Sequence, residues 1–155
     1  MARLLAACGG FLLAVLWMDL MFDVQATRLT GVPAADAAAL QSIAGYYRRV
    51  TTDAFPMNRL IGAVMIVTVL ASAWRALRER RTSVVVSALL AALPIGLALA
   101  RVFPNAVALA ATTDPALQTS LARAILREHV ACLGAIALFT ALEVGRSTPQ
   151  RRRTR

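Results

Sequence analysis

Four long apolar segments divide this chain, at about residues 4–24, 56–77, 83–103 and 115–145. Each is close to or above the roughly 20 residues that a helix needs to cross a bilayer. The stretch between the first two is different. Pro33 suits a first helical position, where its missing N–H is not needed. Leu40, Ile43, Tyr47 and Val50 then fall on one face, with Gln41, Arg48 and Arg49 elsewhere. This spacing predicts an amphipathic helix lying on the membrane surface, with Tyr46 and Tyr47 near the headgroups. In the third segment Pro94 removes one backbone hydrogen bond and predicts a kink, and Arg101, Pro104 and Asn105 mark its far end. Asp114-Pro115 reads as an N-cap and first position for the last helix. That helix then exceeds the bilayer and should protrude or tilt. The predicted fold is all-α: a four-helix transmembrane bundle with a surface helix in its first loop, forming one domain over residues 1–146. A basic tail, residues 147–155, is expected to be disordered.

Composition agrees with the pattern. The chain is 59% hydrophobic with a mean hydropathy of +0.65, too apolar for a soluble domain of this size. The net charge of +9 would suggest nucleic acid in a soluble protein. Here the arginines flank apolar segments, so lipid and topology explain them and no nucleic-acid partner is expected. Arg3, the Arg75–Arg81 turn and the tail fall on one side of a four-helix arrangement. The positive-inside rule puts that side, and both termini, in the cytoplasm. The tail arginines are expected to meet anionic headgroups.

Two processing patterns compete with a retained first helix. Leu5-Ala6-Ala7-Cys8 has the form of a lipoprotein box, but the apolar run before it is too short and the residues after it stay apolar. Val24-Gln25-Ala26 resembles a signal-peptidase site, but the preceding run is long and carries Asp19 and Asp23. The first segment is therefore read as a membrane helix. Cys8 and Cys132 lie at depths differing by roughly 10 Å at ~1.5 Å rise per residue, which predicts no disulfide between them.

The chemistry concentrates in one layer. Asp19 lies about 22 Å along the first helix and His129 about 21 Å back along the last, at ~1.5 Å per residue. Asp23, Asn58, Arg59, Arg101, Arg127 and Glu128 fall about one turn further out, while the inner half reads as almost entirely apolar. Titratable groups at such depth are costly and point to function by default. They should pair inward, and Asp19 or Asp23 with Arg59, Arg101 or Arg127 would form bidentate pairs. A metal set of Asp19, Asp23 and His129 is disfavoured by the single histidine and the lack of HxxxH or ExxH spacing. No motif calls for a cofactor.

Pro104-Asn105 with Leu109, and a last helix opening with Arg123 to His129, resemble the anthrone-oxygenase-like family of small four-helix membrane proteins. The resemblance covers mainly residues 101–142. It implies cofactor-independent oxidation of a polyketide-type aromatic, with Asn105, Arg127 and His129 as site residues. Glu128 before His129, Val130 after it, and the acids Asp19 and Asp23 depart from the family pattern.

Three functions remain open at the level of sequence. The leading one is an outward-facing pocket that binds, and oxidises, a small hydrophobic molecule. There His129 and Asp19 handle the proton, and Asp23, Asn58, Arg59, Arg101, Asn105, Arg127 and Glu128 line the ligand. The second is a structural subunit of a membrane complex or oligomer, whose polar layer locks helix packing. The third is a dimeric proton-coupled transporter using Asp19.

Overall fold

The computed structural model describes residues 1–148, and its regular structure is helical throughout. The last residues of the expected basic tail, 149–155, lie outside the described residues. Helix α1 (Ala2–Asp23) continues into a 3-10 turn, Val24–Arg28. Then follow α2 (Pro33–Thr52) and α3 (Met57–Glu79). Next come α4 (Thr82–Leu97), a π-helical turn (Ala98–Val102) and α5 (Phe103–Ala111). The last helix is α6 (Pro115–Ser147), capped by the Asp114 carboxylate on the Ala116 N–H. Among the described residues four helical runs are long and apolar enough to cross a membrane: Ala2–Arg28, Met57–Glu79, Thr82–Ala111 and Pro115–Ser147. By length and composition this is a multi-pass integral membrane protein. Leu70, Trp74, Leu77, Leu93 and Leu138 are exposed on its outside. That surface would aggregate in water and suits lipid.

The third apolar segment does not end near residue 103. Pro104 lacks an N–H, and its ring would meet the Ala100 carbonyl in a regular α-turn. The turn before it widens instead, with the Phe103 N–H reaching back to the Ala98 carbonyl, and the helix resumes to Ala111. A single-turn π segment of this kind accommodates what an α-turn cannot.

Helices α1 and α6 pack along most of their length, with α4 on α6 and α3 on α1 and α4. Helices α1 and α6 are tightly packed at Gly9, where an added Cβ would overlap the Thr140 hydroxyl and stand 3.2 Å from the Phe139 ring. Thr140 cannot easily yield, because its hydroxyl is bonded to the Ile136 carbonyl. Gly9→Ala should therefore destabilise the bundle by roughly 1–3 kcal/mol, the usual range for overpacking. Thermal melting in detergent measures this, and Thr140→Ala in the same chain should restore part of the loss.

The buried apolar residues form three clusters stacked along the bundle. Leu5, Ala91 and Phe139 lie toward the termini, and Leu12, Met65, Ile95 and Ile136 lie mid-way. The largest cluster lies at the opposite end, and α2 builds much of it. The predicted face Leu40, Ile43, Tyr47 and Val50 is indeed the packing face, but it packs on α5 and α6 rather than on lipid. Tyr46 and Tyr47 are 8% and 3% exposed, so they are not headgroup anchors. The loop into α2 is pinned by Asp36, which accepts the Thr30 N–H and hydroxyl and the Gly31 N–H at 2.7–2.9 Å. Gly31 has φ +87°, a left-handed conformation that glycine adopts without strain. These donors, led by the Thr30 N–H, hold the Asp36 carboxyl below its ordinary range.

Candidate functional site

The site begins with two acids four residues apart on α1, a spacing that puts them on one face. Asp23 is fully buried, and both its oxygens are used. Oδ1 accepts the Tyr47 hydroxyl at 2.7 Å, and Oδ2 lies 2.5 Å from His129 Nδ1. Asp19 Oδ1 accepts the Tyr46 hydroxyl at 2.5 Å. Its Oδ2 faces His129 Nε2 at 3.9 Å, too far for a hydrogen bond. The order of groups is thus Tyr47, Asp23, His129, Asp19, Tyr46. Three helices, α1, α2 and α6, meet through it. Tyr46 stacks on Phe22 at 4.0 Å and sets Tyr47 edge-on at 5.2 Å, which fixes both phenols. Burial, with the facing carboxylates, pushes both phenols above their ordinary pKa, so they remain hydrogen-bond donors.

A carboxylate on one imidazole nitrogen selects the tautomer of the ring. In the neutral ring, with Nδ1–H donated to Asp23, Nε2 carries the lone pair. Among the described residues Nε2 has no hydrogen-bond partner, yet His129 stands in the wall of two cavities. One is small, about 70 Å³, and runs inward past Leu12, Met65, Pro94 and Cys132. The other is a cleft of about 350 Å³ at the α2 end. Its base is Asp19, Tyr46, Tyr47 and His129, and most of the remaining wall is apolar, including Ile61, Val102, Phe103 and Val107. Helix α3 leans on α1 and α4 without comparable packing on α5, which leaves this cleft between them. Its volume lies within the usual range for a small-molecule site.

The two carboxylates approach opposite nitrogens of the ring, so the three side chains do not converge on one point. Among the described residues no group of three His, Cys, Asp or Glu side chains is disposed to hold a metal ion.

The structure separates the other residues singled out by depth. The expected aspartate–arginine pairs do not form, because tyrosine hydroxyls and His129 take the aspartate oxygens. Arg101 instead pairs with Glu128 at 2.8 Å, and Asn105 reaches Glu128 at 3.4 Å, on a different side of α6. Asn58 is exposed at the cleft rim, and Arg59 lies over the Phe55 ring at 4.9 Å. Arg127 faces a separate groove. Depth along a helix groups residues into a layer; only azimuth decides which of them meet. Cys132 lies one turn from His129 and donates weakly to the Pro94 carbonyl at 3.5 Å. Both cysteines are free, on separate helices.

The half of the bundle nearer the termini is not purely apolar. Glu143 is 1% exposed and receives Arg75 and Ser87, each at 2.7 Å, together with Arg146. Arg75 also holds Glu79 at 2.8 Å, and Arg146 donates to the Ser83 carbonyl. Hydropathy along the chain hides this cluster, because Glu143 falls near the polar end of the last helix. The i, i+3 spacing of Glu143 and Arg146 was the available signal. For the tyrosines the signal was Tyr47 on the apolar face of α2, where a phenol hydroxyl needs a partner.

No family model, curated protein or solved structure matches this chain. What the chain does therefore rests on the site itself.

Proposed function

We propose that the protein sits with both termini in the cytoplasm, and that its cleft at the α2 end binds a small, largely apolar molecule through one proton-donating group. The orientation rests on the arginines at the termini end. The observation that carries the binding reading is His129 Nε2: oriented by Asp23, without a hydrogen-bond partner among the described residues, and set beside Asp19, Tyr46 and Tyr47 in the wall of a largely apolar cleft. A hydroxyl or an acidic C–H at that point would donate to Nε2. Proton transfer would leave an imidazolium between Asp23 and Asp19, and both carboxylates stabilise that charge. Tyr46 holds Asp19 toward the ring, and Tyr47 does the same for Asp23.

The oxidation implied by the anthrone-oxygenase resemblance would use the same base. His129 would take a proton from an activated methylene, and dioxygen would oxidise the resulting enolate, CH₂ becoming C=O with release of water. Of the three residues the resemblance points to, only His129 lines the cleft. Binding with proton transfer is therefore the better supported part.

A structural role is the second reading. Its support is that Asp23 ties α1, α2 and α6 together with both oxygens satisfied. Native mass spectrometry of protein released from mild detergent separates the two. The binding reading expects a discrete added mass that disappears in His129→Ala while the chain stays folded. A bare chain under every release condition, with His129→Ala only lowering the melting point, would leave the structural role alone.

A further inference from the structure

We propose that the groove between α1 and α6, on the face of α1 opposite the cleft, is a binding site for one anionic phospholipid. By helical spacing, Trp17, Met21 and Val24 point away from Asp19 and line this groove, with Leu126 and Val130 completing it from α6. It is an open groove of about 660 Å³. From Trp17 to Thr27 it runs ten residues of helix, roughly 15 Å at ~1.5 Å rise, which matches one leaflet of a ~30 Å hydrocarbon core. An acyl chain would lie against it at full depth.

Arg127 assigns the headgroup. It is exposed, lines the groove beside Thr27, and has no hydrogen bond or ion pair among the described residues. Helix α6 runs from the α2 end toward the termini, and helical side chains lean toward their own N-terminus. Arg127 therefore leans toward the membrane surface at the α2 end. Arg123 lies one turn further out on the same face and donates to the Leu29 carbonyl at 2.7 Å, next to Arg28. Asp36, which carries the charge facing Arg123, is hydrogen-bonded to Thr30 and Gly31 and makes no ion pair with Arg127. The result is an apolar channel ending at the Arg127 guanidinium, which has no counter-ion among the described residues. A phosphate supplies bidentate, charge-assisted hydrogen bonds to such a group. A second copy of this chain fits worse. A two-fold contact here would bring two Arg127 side chains into one apolar groove.

Trp17 reports on the site directly, because the chain has two tryptophans and Trp74 lies elsewhere, under Arg78 on α3. In a Trp74→Phe background, Trp17 fluorescence is titrated with phosphatidylglycerol and with phosphatidylcholine, both bearing brominated acyl chains. Half-quenching should come at a several-fold lower mole fraction of phosphatidylglycerol. Arg127→Gln, an exposed change, should remove the difference without altering the melting point. Equal quenching by the two lipids in the parent protein would overturn the assignment. So would a phosphatidylglycerol preference that survives Arg127→Gln, since the headgroup would then be held elsewhere. A dimer mass with Trp17 shielded from both lipids would give the groove to a second copy and likewise sink the proposal.

Discussion

Asp23→Ala should cost the bundle roughly 3 kcal/mol or more, while Asp23→Asn should cost about 1 kcal/mol and still change the chemistry of the site. The alanine variant leaves the Tyr47 hydroxyl and His129 Nδ1 facing a hole in a fully buried position. Removing one partner of a buried, hydrogen-bonded charge typically has an effect of this size. Asparagine keeps the shape and one acceptor oxygen, so melting in detergent should fall only slightly. Its other atom is an NH₂. With the oxygen on Tyr47, the NH₂ faces Nδ1, which must then accept, and the ring proton moves to Nε2. An Nε2–H cannot take a proton from a ligand, a loss of function through tautomer rather than fold. The chain has a single histidine, so ring ¹⁵N shifts report it without assignment ambiguity. The native protein should show a protonated Nδ1 and a bare Nε2, and Asp23→Asn the reverse. An unchanged tautomer in the variant would remove Asp23 as the group that orients His129.

At the other end, Glu143→Ala should be as damaging as Asp23→Ala, and Glu143→Gln distinctly milder. One buried carboxylate is the shared acceptor for Arg75, Arg146 and Ser87, which lie on or beside α3, α4 and α6. Alanine strands the Arg75 guanidinium, 12% exposed, with only Glu79 for company. The expected loss is roughly 3–5 kcal/mol. Glutamine retains an oxygen for one arginine or for Ser87 and removes one buried charge, so part of the penalty is offset. Unfolding by a denaturing detergent, followed by circular dichroism, ranks the variants. A Glu143→Ala protein as stable as the parent would mean that the arginines find water or headgroups, and that the cluster does not hold the helix ends.

These two clusters show where one-dimensional reading succeeds and where it stops. Segment length and hydropathy carry the membrane class and the four spans, because a bilayer imposes a minimum length and a nearly charge-free composition on anything that crosses it. The amphipathic spacing of Leu40, Ile43, Tyr47 and Val50 carries α2 for a similar reason: a buried face must repeat at the helical period. Depth counting puts Asp19 level with His129, since rise per residue is nearly constant. It fails for Arg59, Arg101 and Arg127, which share the layer but point elsewhere around their helices.

Residue order alone is thus enough for the four apolar spans, the existence of α2 and the shared level of Asp19 and His129. Tertiary structure alone decided which groups touch. It turned Tyr46 and Tyr47 inward onto Asp19 and Asp23, carried the third span past Pro104 through a π turn, paired Arg101 with Glu128, and closed Glu143 under two arginines from different helices. The reason is geometric. Hydropathy and rise act along a helix axis and are written in the order of residues. Contact depends on the rotation of each helix about that axis, and packing against the neighbours sets that rotation.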